Sequence, residues 1–486
     1  MCILQACRPA ALAVATFGAV GTRPSATAAM LFNSFPFLFV FLPASLLLHW
    51  LVERFRPDWR LPLLVLLSFA FYGYWDWRLL PLLVLSVGLN WSVAELFQRA
   101  RRGWLVIGAI CLNLLVLAIF KYAAFLIEVL DLLPGVDLAK PSIVLPLGIS
   151  FFTFHHVMYM TDLKAGRAPR YGLLQYAFYI AFFPQVLAGP LVRWSEVMHQ
   201  LDERPYLRHD AAERIARGLM LLVVGLAKKV FLGDPLSEYV NPVYAAAAAG
   251  KAISVVEAWQ AVLGFTFQIY FDFSGYTDMA LGLALLFGIV LPQNFDVPYR
   301  AVSLQDFWRR WHMTLSRFLR DYLYVAMGGN RHGLAVQLLA LFATMALGGL
   351  WHGAGWTFIA WGVAHGVGLG AGVLWRRAGL KMPNVAGWIL TFVFVMLTWI
   401  LFRAGTFDVA LKMFKALFGF AEMGRGFKWR SIAIAALVAM IGPTAWAFVH
   451  RLPPWRSIAV AFAVVLVIVL FKIGDDANYE FIYFQF

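Results

Sequence analysis

The chain has 486 residues, of which 62% are hydrophobic and only 14% are charged. A soluble domain carries about a quarter charged residues, so this composition excludes an ordinary soluble protein. The formal net charge is +14, but the basic residues lie in short loops, where they indicate the cytoplasmic side of a membrane protein rather than a nucleic-acid partner.

Apolar runs that approach the ~20 residues needed to cross a bilayer recur along the whole chain. They are Phe37–Val52, Leu61–Trp75, Leu79–Phe97, Trp104–Phe120, Ile143–Met160, Gly218–Leu232, Val255–Phe273, Leu334–Leu350, Trp356–Trp375, Trp388–Phe402, Ser431–Val449 and Ile458–Leu470. Several are short enough to pair, tilt or break, so we expect about 10 to 13 spans. Since no alternating strand pattern and no repeat interrupts them, the predicted fold class is an all-α polytopic membrane protein.

The first 29 residues differ from the rest, being rich in alanine, threonine and glycine with Arg8 and Arg23 among them. The "ATAA" stretch before Met30 resembles the small-residue cleavage site of a signal peptide. Alternatively, the segment is an upstream extension and Met30 is the true first residue. We favour this second interpretation, because an apolar span opens directly at Met30. The predicted domains are therefore an N-terminal extension over 1–29 and one membrane domain over 30–486.

Arginine clusters predict the orientation of the chain in the membrane. The loops Glu53–Arg60, Gln98–Gly103 and Asp162–Arg170 and the stretch Arg193–Arg217 are basic. Positively charged loops stay in the cytoplasm, so we predict that all four are cytoplasmic. The apolar segment Tyr171–Pro190 then has both ends on that side and is too short to cross twice. It is predicted to be re-entrant or interfacial, broken at its prolines and glycine.

Two carboxylates lie within or at the edge of the apolar run Phe267–Gly288, namely Asp272 and Asp278. Isolated charges in such a run usually face a bundle interior or a water-filled cavity. Gly275, between the two, is expected to break the helix. Asp272 and Asp278 are therefore candidates for substrate binding, with a structural role equally open.

The stretch Ser303–Tyr324 has apolar and aromatic residues at helical spacing and arginines on the other side. This pattern predicts one basic amphipathic helix in the membrane interface, with Ser303 as its N-cap and Asp306 three residues later. His312 follows Trp308 by four residues, which places it on the apolar face. It is either a buried structural histidine or a functional one.

The segment "LGGLWHGAGWTFIAWG", Leu347–Gly362, places His352 among glycines and tryptophans. The glycines indicate that backbones approach closely or that helices pack tightly around a narrow path. His352 is a candidate general base, because the ordinary pKa of a histidine is near 6.5. His365, thirteen residues later, is expected to face the same cavity.

No metal site is predicted. His352 has no second histidine at the spacing of a metal-binding helix, and Cys2, Cys7 and Cys111 are scattered. A zinc site needs several ligands at short or complementary spacing, and a disulfide framework needs paired cysteines. His352 has either a structural or a catalytic role, and a metal-binding role has the least support.

Two long motifs resemble the membrane-bound O-acyltransferase family. They are "PQNFDVPYRAVSLQDFWRRWHMTLSRFLRDYLYVAMGGNR" and "ALGGLWHGAGWTFIAWG", and the opening "MLFNSFPFLFVFLP" and the closing "NYEFIYFQF" also resemble the bacterial branch that contains alginate O-acetylation proteins. The resemblance covers roughly Met30 to Phe486.

The resemblance implies a ring of helices around a thin centre, with tunnels that meet at a histidine. The family's nearly invariant histidine matches His352, and its second motif position, which is Asn, Asp or His in different branches, matches His312. Trp308, Trp351 and His365 join the two aspartates as substrate-binding candidates.

In the polysaccharide branch, the resemblance implies transfer of an acetyl group from a cytoplasmic donor, expected to be acetyl-CoA, across the bacterial inner membrane. The acceptor would be an exopolysaccharide, with alginate preferred, or a periplasmic acetyltransferase that relays the group. Cellulose, peptidoglycan and teichoic acid are alternative acceptors. A transporter that uses the histidines and aspartates as a proton relay is the alternative from another class. The expected partners are the lipid bilayer, the donor and the acceptor.

Overall fold

The computed structural model describes residues 30–134, 138–139, 141, 143–187, 189–202, 205–453, 455–475 and 481–482. The predicted N-terminal extension, residues 1–29, lies outside these ranges. Within them the chain forms helices and the turns and loops between them, and no strand occurs in these ranges. The all-α prediction is confirmed.

Twenty α-helices follow one another along the described chain. They are α1 Leu42–Phe55, α2 Arg60–Trp75, α3 Leu80–Ala100, α4 Gly103–Leu130, α5 Ile149–Lys164, α6 Leu173–Ala181, α7 Phe183–Val186, α8 Trp194–Val197, α9 Ala211–Ala227, α10 Asp234–Ala248, α11 Val255–Leu286, α12 Leu304–Arg310, α13 Met313–Phe318, α14 Gly333–His352, α15 Trp356–Arg377, α16 Asn384–Arg403, α17 Phe407–Leu417, α18 Trp429–Ile441, α19 Ala445–Arg451 and α20 Arg456–Asp475. Wider π-helical segments lie at Pro36–Phe41, Lys228–Gly233 and Leu319–Tyr324.

Seven helices of the described chain are long and apolar enough to cross a membrane, or eight if the bent pair α18 and α19 forms one span. They are Pro36–Phe55, Leu80–Ala100, Gly103–Leu130, Gly333–His352, Trp356–Arg377, Asn384–Arg403 and Arg456–Ile473. This number is below the expected 10 to 13, because several of the apolar runs form shorter helices: α2 and α5 have 16 residues each and α9 has 17. The protein is nevertheless a multi-pass membrane protein.

The four basic loops lie close together on one face of the molecule, which we call the basic face. Hydrogen bonds and ion pairs between the loops or the helix ends beside them hold them there. The contacts are Tyr206 N to Glu53 Oε1 at 2.7 Å, Arg60 Nη1 to Leu201 O at 2.9 Å, Arg170 Nε to Glu95 Oε1 at 2.7 Å and Trp194 Nε1 to Asp162 Oδ2 at 3.1 Å. A shared face is what a common cytoplasmic location requires.

Reporter fusions at the two ends of α4 should therefore give opposite results. This helix begins at Gly103 on the basic face and has 28 residues, so it is about 42 Å long and reaches the opposite side of a bilayer. A periplasm-active reporter fused at Arg102 or Arg167 is expected to be silent, and one fused at Leu133 is expected to be active. Strong periplasmic activity at Arg102 and Arg167 would invert the orientation.

Helix α11 is continuous through Gly275, so the predicted break there is wrong. The glycine is needed for packing against α9 instead. A Cβ atom on Gly275 would lie 2.8 Å from the carbonyl oxygen of Gly225, and a Cβ atom on Gly225 would lie 2.5 Å from the carbonyl oxygen of Gly275. Two backbones thus touch at this point, which side chains would prevent.

The segment predicted to be re-entrant forms two short helices, α6 and α7, of nine and four residues. Both are too short to span a bilayer. They meet at Phe182, and the backbone N–H of Phe183 there donates to the hydroxyl of Ser68 at 3.2 Å. The broken backbone is thus buried in protein, as a break at membrane depth requires.

Candidate active site

His352 is the last residue of α14, and its side chain is 6% exposed. Extended backbone at Gly353 and Gly355 separates α14 from α15. A Cβ atom on Gly353 would lie 2.2 Å from the ring of Phe358, so any side chain immediately after the histidine would have to displace that ring. The chain therefore reverses direction at His352 within a very tight turn.

The remaining glycines of this hairpin bring α14 and α15 into backbone contact. A Cβ atom on Gly349 would lie 2.2 Å from the carbonyl oxygen of Phe358, and one on Gly362 would lie 2.2 Å from that of Met345. Small residues at helix interfaces in membranes permit this approach. The structure thus agrees with tight packing as the reason for the glycines.

Aromatic rings surround the imidazole of His352. The ring centroids of Trp351, Trp361 and Phe402 lie 4.8, 5.2 and 5.2 Å from that of His352. Such walls exclude water and lower the local dielectric, which strengthens electrostatic interactions within the site. The surroundings of His352 suit proton-transfer chemistry in a dry setting.

Lys121 of α4 contacts the end of α14, and sequence analysis did not single it out. Its ammonium group donates to the carbonyl oxygen of Trp351 and to that of His352, the latter at 3.4 Å. Tyr122 donates its hydroxyl to the carbonyl oxygen of Leu350 at 3.1 Å. The last carbonyls of a helix lack intrahelical partners and form its negative end, so a cation is favourable there. A lysine within a 28-residue apolar helix was the available sequence signal.

The Lys121→Met variant is expected to lower both thermal stability and acyl transfer. The variant removes charge-assisted hydrogen bonds, which contribute about 1.5–3 kcal/mol, whereas the control Tyr122→Phe removes a neutral one worth about 0.5–1.5 kcal/mol. Melting temperature in detergent and transfer per folded molecule provide the measurements. Equal behaviour of the two variants would show that the lysine charge is unimportant.

His312 lies at a break between two short helices, not within one continuous helix. Ser303 does cap α12, accepting the N–H of Asp306 at 3.1 Å, so the predicted helix start is confirmed. The predicted continuation to Tyr324 is wrong, because α12 ends at Arg310 and His312 adopts a left-handed conformation with φ 43° and ψ 53°. Non-glycine residues adopt this region rarely, and such strain concentrates at functional sites.

The turn at His312 is held by Asn294. The carbonyl oxygen of Asn294 accepts the N–H of Met313 at 2.9 Å. Its side-chain Oδ1 accepts the N–H of Thr314 at 3.2 Å and the hydroxyl of Thr314 at 2.9 Å. These hydrogen bonds take the place of intrahelical ones, which is the physical reason for the break.

The structure brings His312 and His352 to the same tryptophan. The ring centroid of His312 is 6.1 Å from that of Trp351, and the ring centroid of His352 is 4.8 Å from it. His312 is fully buried, and the ring of Phe273 lies 4.8 Å from it. The two histidines that were predicted as catalytic thus share one aromatic neighbour.

His365 uses both ring nitrogens in hydrogen bonds. Its Nδ1 accepts the indole N–H of Trp308 at 3.2 Å, and its Nε2 lies 3.0 Å from the hydroxyl of Thr398. Because an indole nitrogen can only donate, Nδ1 must carry the lone pair and Nε2 the proton. His365 and Trp308 support the ring of Trp361, to which both lie close, at 4.7 and 5.8 Å between centroids. They lie behind the site rather than at its centre.

The two aspartates proposed for substrate binding are paired with lysines, so neither is an isolated charge. Asp272 binds Lys229 at 2.8 Å and accepts the backbone N–H of Ile482 at 2.8 Å. It therefore anchors a residue close to the end of the chain, which makes a structural role the better interpretation.

Asp278 binds Lys228 at 2.7 Å. It also lines a polar recess together with Gln293, Asn294 and Thr444. Since Asn294 contacts His312, the recess is connected to the turn at His312 through one side chain.

The segment after His312 is tied to the basic face. Arg193 forms an ion pair with Asp321, and Tyr322 donates to Asp162 at 2.9 Å. Burial opposes ionisation of Asp321, but hydrogen bonds and charges of Arg320 and Arg193 outweigh it and lower the pKa of the carboxyl. This end of the segment is thus a charged surface, while His312 is buried.

The model of the membrane-bound O-acyltransferase family matches residues 115–407 of the chain. The chain is similar to the peptidoglycan O-acetyltransferase of Helicobacter pylori, with 37% identity over 428 residues and 80% of each protein covered. It is also similar to the probable alginate O-acetylase AlgI of Pseudomonas aeruginosa, with 38% identity over 404 residues, 80% of this chain and 75% of the relative.

A more distant similarity extends to the teichoic acid D-alanyltransferase of Bacillus subtilis, with 27% identity over 281 residues, 56% of this chain and 68% of the relative. The matched part of the chain contains His312, Lys121 and His352. The protein is an acyltransferase that belongs to the membrane-bound O-acyltransferase family.

Proposed function

We propose that the protein transfers an acetyl group from acetyl-CoA, at the cytoplasmic face of a bacterial inner membrane, for O-acetylation of an exopolysaccharide, with alginate as the preferred acceptor. The observation that carries the proposal is the position of two buried histidines on one tryptophan, within water-excluding aromatic walls. The similarity to alginate O-acetylases over 80% of the chain supports the substrate class.

The reaction requires one proton to move twice. In the proposed step, the imidazole of His352 removes the proton from an acceptor hydroxyl, and the oxygen attacks the acetyl carbonyl of the thioester. A C–O bond forms and the C–S bond breaks as the tetrahedral intermediate collapses. The imidazolium then returns the proton to the departing thiolate. No metal or redox change is needed for this balance.

His312 has a supporting role in this scheme. Its ring borders the same Trp351 as the ring of His352, so it can orient the acceptor hydroxyl. The recess lined by Asp278 is connected to it through Asn294. The substrate-binding roles proposed for Trp351 and Asp278 rest on these positions.

The acceptor is tested in a strain that lacks the gene and makes both alginate and peptidoglycan. Wild type and His352→Ala are returned to it, and the acetyl content of each polymer is measured, with the amount of protein in the membrane as control. Restoration in alginate alone supports the proposal. Restoration in peptidoglycan alone would favour the second candidate, which the 37% identity to the Helicobacter pylori enzyme supports.

The donor and the route are tested in proteoliposomes with radiolabelled acetyl-CoA added on one side. Oligosaccharide acceptor is enclosed on the other side, with and without a periplasmic acetyltransferase. Transfer without the partner supports a direct reaction, and transfer only in its presence supports a relay. A failure with acetyl-CoA in both cases, in protein that complements the strain, would exclude acetyl-CoA as the donor.

A further inference from the structure

Two buried histidines, His365 and His312, differ in which ring nitrogen carries the proton. His365 has its lone pair on Nδ1, since the Trp308 indole donates to that atom. His312 differs, because its Nδ1 lies 3.1 Å from Oδ1 of Asn294. Whether Nδ1 donates or accepts in this bond depends on whether the oxygen or the nitrogen of the Asn294 amide faces it.

The orientation of this amide is fixed by the backbone. The atom of Asn294 that faces His312 also faces the N–H of Thr314, at 3.2 Å. A backbone N–H is only a donor, so the atom must be the amide oxygen and not the nitrogen. Neutral His312 therefore donates from Nδ1 and keeps its lone pair on Nε2.

The same oxygen is held from a third direction. The hydroxyl of Thr314 donates to Oδ1 at 2.9 Å and accepts the N–H of Leu191 at 2.9 Å. Asn294 is 1% exposed, so water does not compete for its oxygen. Its backbone carbonyl meanwhile accepts the N–H of Met313, directly after the left-handed residue.

We propose that Asn294 is a positioning residue that holds His312 in its left-handed turn and fixes it as the Nδ1–H tautomer, so that Nε2 presents the lone pair to the site. Asn294 is then responsible both for the break between α12 and α13 and for the position of the proton on the His312 ring. This inference rests on the proposed function and deepens it, because a lone pair on Nε2 lets His312 accept a hydrogen bond from the acceptor hydroxyl and so orient it.

The direct test is solid-state nitrogen NMR on the full chain in lipid bilayers, with ring-labelled histidine. The chain has ten histidines, and loss of a signal in His312→Gln and in His365→Gln assigns the two rings. We expect His312 to be protonated on Nδ1 and bare on Nε2, with His365 showing the reverse. A His312 ring protonated on Nε2 in the wild type would overturn the proposal.

Variants separate tautomer control from simple loss of structure. Asn294→Asp keeps an oxygen acceptor toward His312 and Thr314, so the Nδ1–H state and much of the activity should survive. Asn294→Leu removes the acceptor and should give mixed tautomers, with turnover lowered about 10- to 100-fold, as for loss of an orienting partner. Thr314→Val is the matched control, since it loosens the same turn but leaves the His312 bond in place. In this variant, His312 should have the same tautomer as in the wild type.

If Asn294→Leu does not fold, the wild type, Asn294→Asp and Thr314→Val decide the matter by NMR. An unchanged tautomer in a folded Asn294→Leu would contradict the assignment. The NMR result does not depend on acyl transfer. A wild type without transfer from acetyl-CoA, but with the expected tautomer, would therefore refute the proposed function and leave the role of Asn294 intact.

Discussion

Replacement of His352 with alanine is expected to lower acyl transfer by about 10²–10⁴-fold, the usual contribution of general acid–base catalysis, while the protein remains inserted and folded. The side chain lies at the end of α14, and its loss leaves the glycine contacts between α14 and α15 in place. The Lys121 side chain donates hydrogen bonds to the backbone carbonyl oxygens of Trp351 and of residue 352. Both carbonyls remain in the alanine variant. Loss of the imidazole should therefore affect chemistry more than folding.

The measurement is the acetyl content of the acceptor polymer in complemented cells, with membrane abundance and melting temperature of each variant. His365→Ala is the matched control, since it removes an equally buried imidazole that is bonded to Trp308 and Thr398. It should lower the melting temperature more than the turnover of each folded molecule. Normal acetylation by a well-expressed His352→Ala protein would return His352 to a structural role.

Replacement of His312 with alanine is also expected to be severe. It would remove the ring beside Trp351 and Phe273 and leave Oδ1 of Asn294 with one donor fewer. Alanine adopts the left-handed conformation less readily than histidine, so this variant would also add backbone strain. Asparagine tolerates this conformation better, so His312→Asn separates the loss of the imidazole from the strain in the same transfer assay. Equal turnover of His312→Asn and wild type would show that the imidazole of His312 is not needed for the reaction.

The sequence predicted the features that depend on local pattern. Composition predicts an all-helical membrane protein, and the Ser303 cap follows from a motif of four residues. His352 could be singled out because an imidazole in a glycine-rich apolar segment is chemically unusual. Each of these signals is contained in a single stretch of chain.

The features that it did not predict depend on contacts between distant segments. The break at His312 follows from Asn294, which lies 18 residues earlier, and helical periodicity alone does not reveal a competing acceptor. Lys121 meets His352 across 231 residues of sequence. Gly275 lacks a side chain because Gly225 approaches it, and not because the helix ends there. Helix propensity describes a glycine as a breaker, whereas tertiary packing decided its role.

Replacement of Gly362 with alanine is expected to disrupt the hairpin that carries His352. The new Cβ atom would lie 2.2 Å from the carbonyl oxygen of Met345 and 3.1 Å from the Cα atom of Ala346. Both are backbone atoms, so a side-chain rotation cannot relieve the clash and α14 must move away from α15. Overpacking of this kind costs about 1–3 kcal/mol. The shift would also displace His352, so transfer per folded molecule should fall along with the melting temperature.

Gly372→Ala, on the same helix, separates this effect from helix propensity. The nearest atom to a Cβ there is Nη1 of Arg376, at 3.8 Å, which is an ordinary contact. Alanine in an open helical position is favoured over glycine by about 0.5–1 kcal/mol, so this variant should be neutral or slightly more stable and fully active. Thermal stability in detergent and acetyl transfer are measured for both. If Gly362→Ala behaved like Gly372→Ala, the backbone contact between α14 and α15 would not be what positions His352.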